Sequence, residues 1–201
     1  MENKNKQIEA KIITLGDSRV GKTSLIVQFI DNKFTVNYLS TIGFDLKTKV
    51  IKLSNGIDMK LTIHDTAGQE RFKSLSTNYI KKANGILLVY DITEKNSFNN
   101  ISKWMEDIDD EVGNKLPIIL VGNKMDLKEE RAVSKEEGEA MAIQYKIKFY
   151  ETSSKNGDNV EKCILELCEE IYDKLKDRSR TTNKSKNLDI NNNKKKKKEC
   201  C

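Results

Sequence analysis

The chain of 201 residues is poor in cysteine and has no long uninterrupted run of apolar side chains. Polar and charged residues follow Met1, so we expect no signal peptide, and no segment is long enough to cross a bilayer. Two of the four cysteines, Cys163 and Cys168, lie five apart on one apolar helical pattern, where they are poorly placed to form a disulfide. This cysteine usage indicates a reducing compartment.

Basic residues are not in excess over most of the chain, although the net charge is +5. Nine basic and three acidic residues lie from Asp177 onward, which gives this end +6 and leaves −1 on the rest. Basicity is therefore a property of the tail, and we expect no nucleic-acid-binding face on the domain. We predict one domain over residues 1–176, since a core of roughly 170 residues buries enough surface, and a disordered tail over 177–201.

What the chain does contain is Gly16–Thr23, which fits G-x-x-x-x-G-K-[ST], the pattern of a phosphate-binding loop. The run Lys11–Leu15 predicts a buried strand before it, and apolar spacing over Leu25–Ile30 predicts a helix after it. Backbone N–H groups at such a helix start attract phosphate. We expect Lys22 to reach the β- and γ-phosphates and Thr23 to coordinate Mg²⁺. The candidate nucleotide-binding residues of this segment are Gly16, Ser18, Arg19, Val20, Gly21, Lys22, Thr23 and Ser24.

A second candidate segment, Asp65–Gln69, follows an apolar strand predicted over Met59–His64. An acid at the carboxyl end of a strand beside the first one lies where α/β sheets bind ligands. Asp65 would hold Mg²⁺ through a water. Gly68 would let a backbone N–H approach the γ-phosphate, and Gln69 is the candidate that orients the attacking water.

The base of the nucleotide is indicated by Asn123–Asp126, which follows a buried-strand pattern over Pro117–Gly122. Guanine presents N1–H and N2–H₂ as adjacent donors, which a carboxylate accepts as a fork, whereas adenine has no such pair. We assign this carboxylate to Asp126. Asn123 is expected to bind the edge of the ring and to connect loops, and the aliphatic stem of Lys124 to cover the face of the base.

Two further sequence features belong to the same candidate site. Ser153, Ser154 and Lys155 follow a strand predicted over Ile147–Glu151 and would supply a backbone donor to guanine O6. Thr41 lies eighteen residues beyond Thr23 in a polar stretch. Its hydroxyl is a candidate for closing over Mg²⁺ and the γ-phosphate, although from sequence alone it is one loop threonine among several.

Together these segments resemble the Ras superfamily of small GTPases, over about residues 8–176. Other strings are similar to Rab proteins: Ser40–Asp45, Gln69–Phe72, Leu88–Thr93 and the paired cysteines Cys200 and Cys201. The resemblance implies a P-loop NTPase fold, GTP or GDP with Mg²⁺ as ligands, Phe34 packed edge-on to the base and Tyr38 over the phosphates. It also implies that catalysis depends on Gln69, Lys22 and Thr41, and that the metal is held by Thr23, Thr41 and Asp65.

The function implied is a GDP/GTP switch that hydrolyses GTP slowly without a GAP and recruits effectors in vesicle and membrane traffic. Its implied partners are an exchange factor, a GAP, a GDP-dissociation inhibitor and effectors, and we expect a monomer. Two alternatives stay open. One is a nucleotide-bound scaffold that does not switch, suggested by Arg19 and His64, and the other is a nuclear or nucleic-acid-associated GTPase that uses its lysine-rich tail.

The chain departs from the Rab pattern at four positions. Rabs usually have glycine at Arg19, phenylalanine at Leu46 and tryptophan at His64. With Tyr79, the last two positions form an aromatic triad at the effector-binding surface. Ser154 stands where alanine is common, a change that we expect to matter little. We expect these departures to affect the set of partners rather than the GTPase chemistry.

The tail is rich in Asn, Lys and Ser from about Arg178 and ends in Lys194–Lys198, Glu199, Cys200 and Cys201. Paired cysteines resemble the Rab site for double geranylgeranylation, and two lipid chains anchor stably where one is marginal. Each lysine near an anionic leaflet adds about 1 kcal/mol. We therefore expect a protein on the cytoplasmic face of an intracellular membrane that cycles with the cytosol. An inert solvated linker and a nuclear-localisation patch remain the alternatives for this segment.

The rest of the pattern predicts a mostly parallel six-stranded α/β sheet with helices on both faces and one antiparallel edge strand. Gly85–Asp91 is predicted as a central strand, and Asn55-Gly56 as the turn of a hairpin between Phe44–Leu53 and Ile57–Ile63. Ser134 and Glu137 form a capping-box pattern. Thr93 is predicted to cap one helix whose apolar side carries Phe98, Ile101, Trp104, Met105 and Ile108.

Overall fold

The computed structural model describes residues 8–34, 44–66, 78–113 and 115–177. The strands are β1 (Ile8–Leu15), β2 (Phe44–Lys52), β3 (Asp58–Thr66), β4 (Gly85–Asp91), β5 (Ile118–Asn123) and β6 (Lys148–Glu151). The helices are α1 (Lys22–Asp31), α2 (Lys95–Asn99), α3 (Ile101–Val112), α4 (Lys135–Tyr145) and α5 (160–177). A helical turn at 78–80 and a 3₁₀ turn at Lys128–Glu130 complete the described part.

The six strands form one sheet in the order β2-β3-β1-β4-β5-β6. Only β2 runs antiparallel to its neighbour, and the pairs β1–β3, β1–β4, β4–β5 and β5–β6 are parallel. The predicted fold class is therefore confirmed, including the antiparallel edge strand. The parallel strands have their carboxyl ends along one edge, which is where a ligand binds in such sheets.

Both faces of the sheet are covered because successive side chains of its central strands point to opposite sides. Ile12 and Leu87 belong to a core under α1 and α5, whereas their neighbours Ile13 and Leu88 belong to a core under α2, α3 and α4. A strand buried on both faces has no solvent-facing side on which polar residues alternate, and all seven residues of β4 are buried, with a charged residue only at its last position, Asp91. This explains why the sequence pattern of β4 is continuous rather than alternating.

The predicted hairpin is confirmed. Gly56 has a φ of 82°, which favours glycine, and its N–H donates to Leu53 O at 2.9 Å. Asn55 Oδ1 accepts from Ile57 N at 3.0 Å, so the turn satisfies its own backbone. The hairpin aligns β2 and β3 in register from Lys52 opposite Asp58 outward.

The prediction that Thr93 caps one long helix is wrong. The Glu94 side chain accepts from Asn96 N at 3.1 Å and caps α2, which ends at Asn99, and α3 begins two residues later at Ile101. The N–H and hydroxyl of Thr93 instead donate to Asp91 Oδ1, at 2.9 and 2.7 Å. The carboxylate at the end of β4 therefore engages the residue that would otherwise cap the helix.

Two other local predictions are confirmed. Ser134 Oγ accepts from Glu137 N at 3.2 Å while Glu137 Oε2 accepts from Ser134 N at 2.9 Å, so the capping box is complete at the start of α4. Cys163 and Cys168 are buried free thiols on α5, and burial raises the pKa of each to about 12. Among the described residues, no helix has both the length and the apolar character needed to cross a bilayer.

Candidate functional site

The predicted ligand segments lie at the carboxyl ends of parallel strands. The phosphate-loop pattern connects β1 to α1, Asp65 is the penultimate residue of β3, Asn123 ends β5, and Thr152–Ser154 follow β6. Since β3, β1, β4, β5 and β6 are consecutive in the sheet, these segments line one edge of it. Their order along that edge places the Asp65 segment at one end and the base segments at the other.

The loop between β1 and α1 requires glycine at both of its ends. Gly16 has a φ of 134°, and a Cβ there would lie 2.0 Å from Val89 O. Gly21 has a φ of 95°, and a Cβ there would lie 2.3 Å from Asn123 Nδ2. Larger residues would push the loop away from β4 and from the end of β5, so both glycines are needed for close packing as well as for backbone conformation. Arg19, between them, is an exposed residue in the left-handed region, with a φ of 67°.

Lys22 is a buried cation that folds back over this loop. Its Nζ donates to Gly16 O at 2.9 Å and to Asp17 O at 2.6 Å. Burial lowers the pKa of Lys22 to about 8, against the opposite effect of the Asp65 and Asp17 carboxylates. Among the described residues this ammonium hydrogen-bonds only to carbonyl oxygens, so it is well suited to receive an anionic ligand.

The two described residues predicted as metal ligands are in contact. Thr23 Oγ1 donates to Asp65 Oδ2 at 2.5 Å, and Thr14 Oγ1 lies 3.4 Å from Asp65 Oδ1. Burial raises the pKa of Asp65, while the hydrogen bond from Thr23 and the charge of Lys22 act to lower it. A hydroxyl and a carboxylate are hard oxygen donors of the type that Mg²⁺ prefers, so the donor set fits this ion.

Asn123 joins the phosphate loop to the loop after β6. Its Nδ2 donates to Val20 O at 3.0 Å. Its Oδ1 accepts from Thr152 Oγ1 at 3.1 Å, from Ser154 N at 3.2 Å and from Ser154 Oγ at 3.0 Å. The hydrogen bond from the Ser154 hydroxyl would be lost if alanine stood at this position. Through these contacts the Asn123 side chain connects the phosphate loop to the loop after β6.

The carboxylate assigned to the base lies beside the same loop. Ser153 Oγ donates to Asp126 Oδ1 at 2.6 Å, which fixes one side of that carboxylate. Lys124 has a φ of 70°, and its Nζ lies 2.5 Å from Asp91 Oδ2 at the end of β4. Asp91 was not identified from the sequence as the partner of Lys124, although an acid at the carboxyl end of a central strand is a signal for such a residue.

Other predicted site residues are placed as follows. Val20 is buried, Ser24 is half-buried, and Ser18, Lys155 and Phe34 are exposed. Tyr38, Thr41, Gly68 and Gln69 lie outside the described residues, as do Lys194–Lys198, Cys200 and Cys201.

Two side-chain links to the loops were missed by sequence reasoning. Trp104, interpreted only as a packing residue, also donates its indole N–H to Asp17 Oδ1 at 2.9 Å. The polar edge of a half-buried indole needs a partner, which was a usable signal. The Gln28 amide lies between the Lys33 and Ser154 carbonyls, and with its NH₂ turned toward them it donates to both, at 3.2 and 3.1 Å.

The three positions of the expected aromatic triad lie close together, Leu46 and His64 on the sheet and Tyr79 on the helical turn at 78–80. Leu46 is paired with His64 across β2 and β3, and the rings of His64 and Tyr79 have centroids 5.1 Å apart. Leu46 is 56% exposed. Burial and the charge of Lys11 lower the pKa of His64, which favours its neutral form. The patch is thus an aliphatic and imidazole surface beside one tyrosine.

Comparison with models of protein families matches residues 11–173 to the Ras family. Among curated proteins, the Ras-related protein Rab-10 of Diplobatis ommata is 42% identical over 205 aligned residues, covering 100% of both chains. The Ras-related protein Rab-8B of Homo sapiens is 44% identical over 86% of this chain and 83% of its own. The Ras-related protein RABE1e of Arabidopsis thaliana is 46% identical, over 82% and 76%.

Proposed function

The chain belongs to the Ras family as a Rab-like GTPase, a guanine-nucleotide-binding hydrolase of vesicle trafficking, and on that premise we propose which of its residues perform the nucleotide cycle. The observation that carries the assignment is the convergence of a buried lysine, a Thr23–Asp65 contact and the Asn123 tie at one edge of the sheet.

For the phosphates, the proposal assigns Lys22 and the backbone of Gly16–Thr23. In the described structure Lys22 binds two carbonyls of its own loop, and a β- or γ-phosphate oxygen offers a stronger, charge-assisted acceptor. The N–H groups at the start of α1 add their dipole to the same site. The phosphate charge would also raise the pKa of Lys22 and so keep it protonated.

For the metal, the proposal assigns the Thr23 hydroxyl as a direct Mg²⁺ ligand and Asp65 as a ligand through water. Their present contact at 2.5 Å supports this, because the two oxygens are already adjacent and the charge of Lys22 acts on Asp65. Bound Mg²⁺ would supply neutralisation of the charge that develops on the phosphate oxygens. Thr41 is proposed as the third protein ligand.

For the base, the proposal assigns Asp126 as acceptor of guanine N1–H and N2–H₂. Support comes from the Ser153 hydroxyl, which holds one carboxylate oxygen and so limits how the group can rotate. Lys124, held by Asp91, would cover the base with its stem, and Ser154 or Lys155 would provide a backbone donor to O6. Phe34 would pack on the edge of the base.

For hydrolysis, the proposal assigns Gln69 to orient water for in-line attack on the γ-phosphate, with Gly68 and Tyr38 near the phosphates. The protein contributes to hydrolysis by positioning the water and the phosphates and by stabilising the charge that develops on the phosphate oxygens, so turnover without a partner should be slow. A GAP would then accelerate it by about 10³–10⁵-fold.

As a Rab-like protein the chain acts with regulators and effectors in membrane-associated traffic. We propose in addition an exchange factor, a GAP and a GDP-dissociation inhibitor as partners of a monomer, and one GTPase domain over 1–176 with a tail over 177–201. The proposed location is the cytoplasmic face of an intracellular membrane, in exchange with the cytosol. Lipids on Cys200 and Cys201, next to Lys194–Lys198, would provide the anchor.

The assignment of the base site is tested by Asp126→Asn. The amide offers a donor where the carboxylate accepted two hydrogen bonds, so guanine nucleotides should bind more weakly and xanthine nucleotides, which present an oxygen at that position, more tightly. Competition titration of GDP against xanthosine diphosphate measures the change. Asp109→Asn, an exposed acid on α3, is the matched control and should leave the preference unchanged. Unaltered guanine selectivity in the Asp126 variant would remove this residue from the base site.

A further inference from the structure

The carboxylate of Asp17 is held from outside the phosphate loop by two side chains of one helix. Asn100 Nδ2 donates to Asp17 Oδ2 at 2.6 Å, and Trp104 Nε1 donates to Asp17 Oδ1 at 2.9 Å. Asn100 occupies the N-cap position of α3 without a side-chain capping hydrogen bond, and Trp104 N donates to Asn100 O at 3.1 Å. The two side chains are therefore one helical turn apart on the same face. Both carboxylate oxygens are therefore directed toward α3.

The main chain of the same residue contacts Lys22. Asp17 O accepts from Lys22 Nζ at 2.6 Å, while the carboxylate contributes to keeping the lysine charged. Asp17 thus connects α3, through its side chain, to the cation of the loop, through its carbonyl. The two side-chain contacts of Asp17 join residues more than 80 positions apart in sequence, and they restrain this end of the loop against α3.

The loop is restrained at its other end as well. Asn123 Nδ2 donates to Val20 O, so the described structure ties the loop near Gly16 to α3 and near Gly21 to the end of β5. A loop held at both ends needs less ordering when a ligand binds, and it retains the ligand longer. Release of the Asp17 tie would also free an anionic side chain to approach bound phosphates, where like charges repel.

We propose that Asn100 and Trp104 are positioning residues for the nucleotide, which slow its release by holding the Asp17 carboxylate and with it the carbonyl that Lys22 contacts. This rests on the phosphate-binding role proposed for Gly16–Thr23. Asn100 and Trp104 act through Asp17 and make no contact of their own with the nucleotide.

The rate of release of tritium-labelled GDP from the full chain, chased with excess unlabelled GDP at fixed Mg²⁺, measures the effect. Asn100→Ala and Trp104→Phe should each accelerate release by about threefold to tenfold, the range expected for loss of one typical, partly solvated intramolecular hydrogen bond. Asn99→Ala is the matched control, because Asn99 is the exposed neighbour at the end of α2. Its release rate should equal that of the wild type.

A thermodynamic cycle separates positioning from packing. In an Asp17→Ala background, Asn100→Ala and Trp104→Phe should leave the release rate within about 1.5-fold, because the group through which they act is absent. An acceleration that persists in that background would show that Trp104 acts by packing alone and would overturn the proposal. Unchanged release in both single variants would overturn it too.

Asp17→Asn provides a second variant, which keeps the size of the side chain and one acceptor oxygen. Because its amide replaces one acceptor oxygen by a donor, one of the two hydrogen bonds from α3 is lost, and release should accelerate at least as much as in the weaker of the two single variants. Unchanged GDP release in Asp17→Asn would contradict positioning through the carboxylate. Failure of the wild-type chain to retain GDP would instead refute the proposed phosphate site itself. The two failures are therefore distinguishable.

Discussion

Tyr90→Phe should stabilise the domain, because the Tyr90 hydroxyl is buried and has no hydrogen-bond partner among the described residues. The ring is already held by aromatic neighbours, with Phe98 edge-on at 5.1 Å and Phe149 stacked at 6.5 Å between centroids. Phenylalanine keeps these contacts and removes only the oxygen. Burial raises the pKa of Tyr90 far above its usual value, so ionisation does not relieve the isolated hydroxyl.

The expected gain follows from two opposing contributions. An unsatisfied buried hydroxyl costs about 1–3 kcal/mol. Removing it also loses van der Waals contacts, since the oxygen is so closely surrounded that a Cβ added at Gly122 or Gly138 would lie 2.7 or 2.6 Å from it. We therefore expect a net increase of about 1 kcal/mol in the free energy of unfolding, or roughly 2–4 °C in Tm.

Tyr150→Phe is the matched control, with the opposite sign. The Tyr150 hydroxyl donates to Glu166 Oε2 at 2.6 Å, and its loss should cost about 1 kcal/mol. Urea unfolding of both variants and the wild type, at one fixed concentration of GDP and Mg²⁺, measures the differences. A loss of 1 kcal/mol or more in Tyr90→Phe would refute the reasoning, because it would show that the hydroxyl has a bonding partner such as an ordered water.

Three further predictions concern the nucleotide, the effector surface and the tail. Burial lowers the pKa of Lys22 in the nucleotide-free protein to about 8, so GDP affinity should fall about tenfold from pH 7 to pH 9 as the ammonium loses its proton. Titrations of GDP at a series of pH values measure this change, and Lys22→Met should abolish the pH dependence. Leu46→Phe combined with His64→Trp should raise affinity for an effector that requires an aromatic triad, without changing nucleotide affinity; calorimetry showing no gain would mean that specificity is set elsewhere. Changing Cys200 and Cys201 to Ser should move the protein from membranes to the soluble fraction in a flotation assay while GTP binding persists, and full membrane retention would rule out a lipid anchor.

The same Lys22 pKa has a consequence for stability, and its sign differs from that of a paired lysine. The folded pKa lies below the ordinary value of 10.5, so between pH 8 and 10.5 the unfolded chain binds the extra proton. Stability of the nucleotide-free protein should therefore rise through this window, as the cost of burying the charge is relieved, while nucleotide affinity falls. A lysine that serves to bind a ligand is thus recognised by opposite pH dependences of protein stability and of ligand affinity, whereas for a lysine that stabilises the fold the stability falls as the pH rises.

Features that depend on a few neighbouring residues were predictable from the sequence. The turn at Asn55-Gly56 and the box of Ser134 and Glu137 involve contacts within a few positions along the chain. The strand, loop and helix around Gly16–Thr23 were predictable because their residue pattern is itself local in sequence. The class of sheet, mostly parallel with one antiparallel edge strand, followed from the same local patterns, because strands that alternate with helices form parallel sheets and a hairpin is antiparallel.

Features set by competition or by distant contacts were not predictable. Thr93 has the right residue type for a helix cap, but its N–H donates to the Asp91 carboxylate two positions earlier. The side chain of Glu94 accepts the capping hydrogen bond instead. The link from Trp104 to Asp17 joins residues 87 positions apart, and nothing in either local sequence indicates the other. The pairing of Lys124 with Asp91 likewise arises only once β4 and β5 lie side by side.

Trp104 is the single tryptophan of the chain, and its indole nitrogen lies one hydrogen bond from the phosphate loop. Light absorbed selectively by tryptophan is therefore emitted from one known position, next to the ligand and in contact with a charged group. Any event that disturbs Asp17 changes the electric field along the indole, to which its emission wavelength is sensitive. The protein thus carries an intrinsic optical probe at its loop, and the filling and emptying of the site can be followed in real time without attaching a dye to either the chain or the nucleotide.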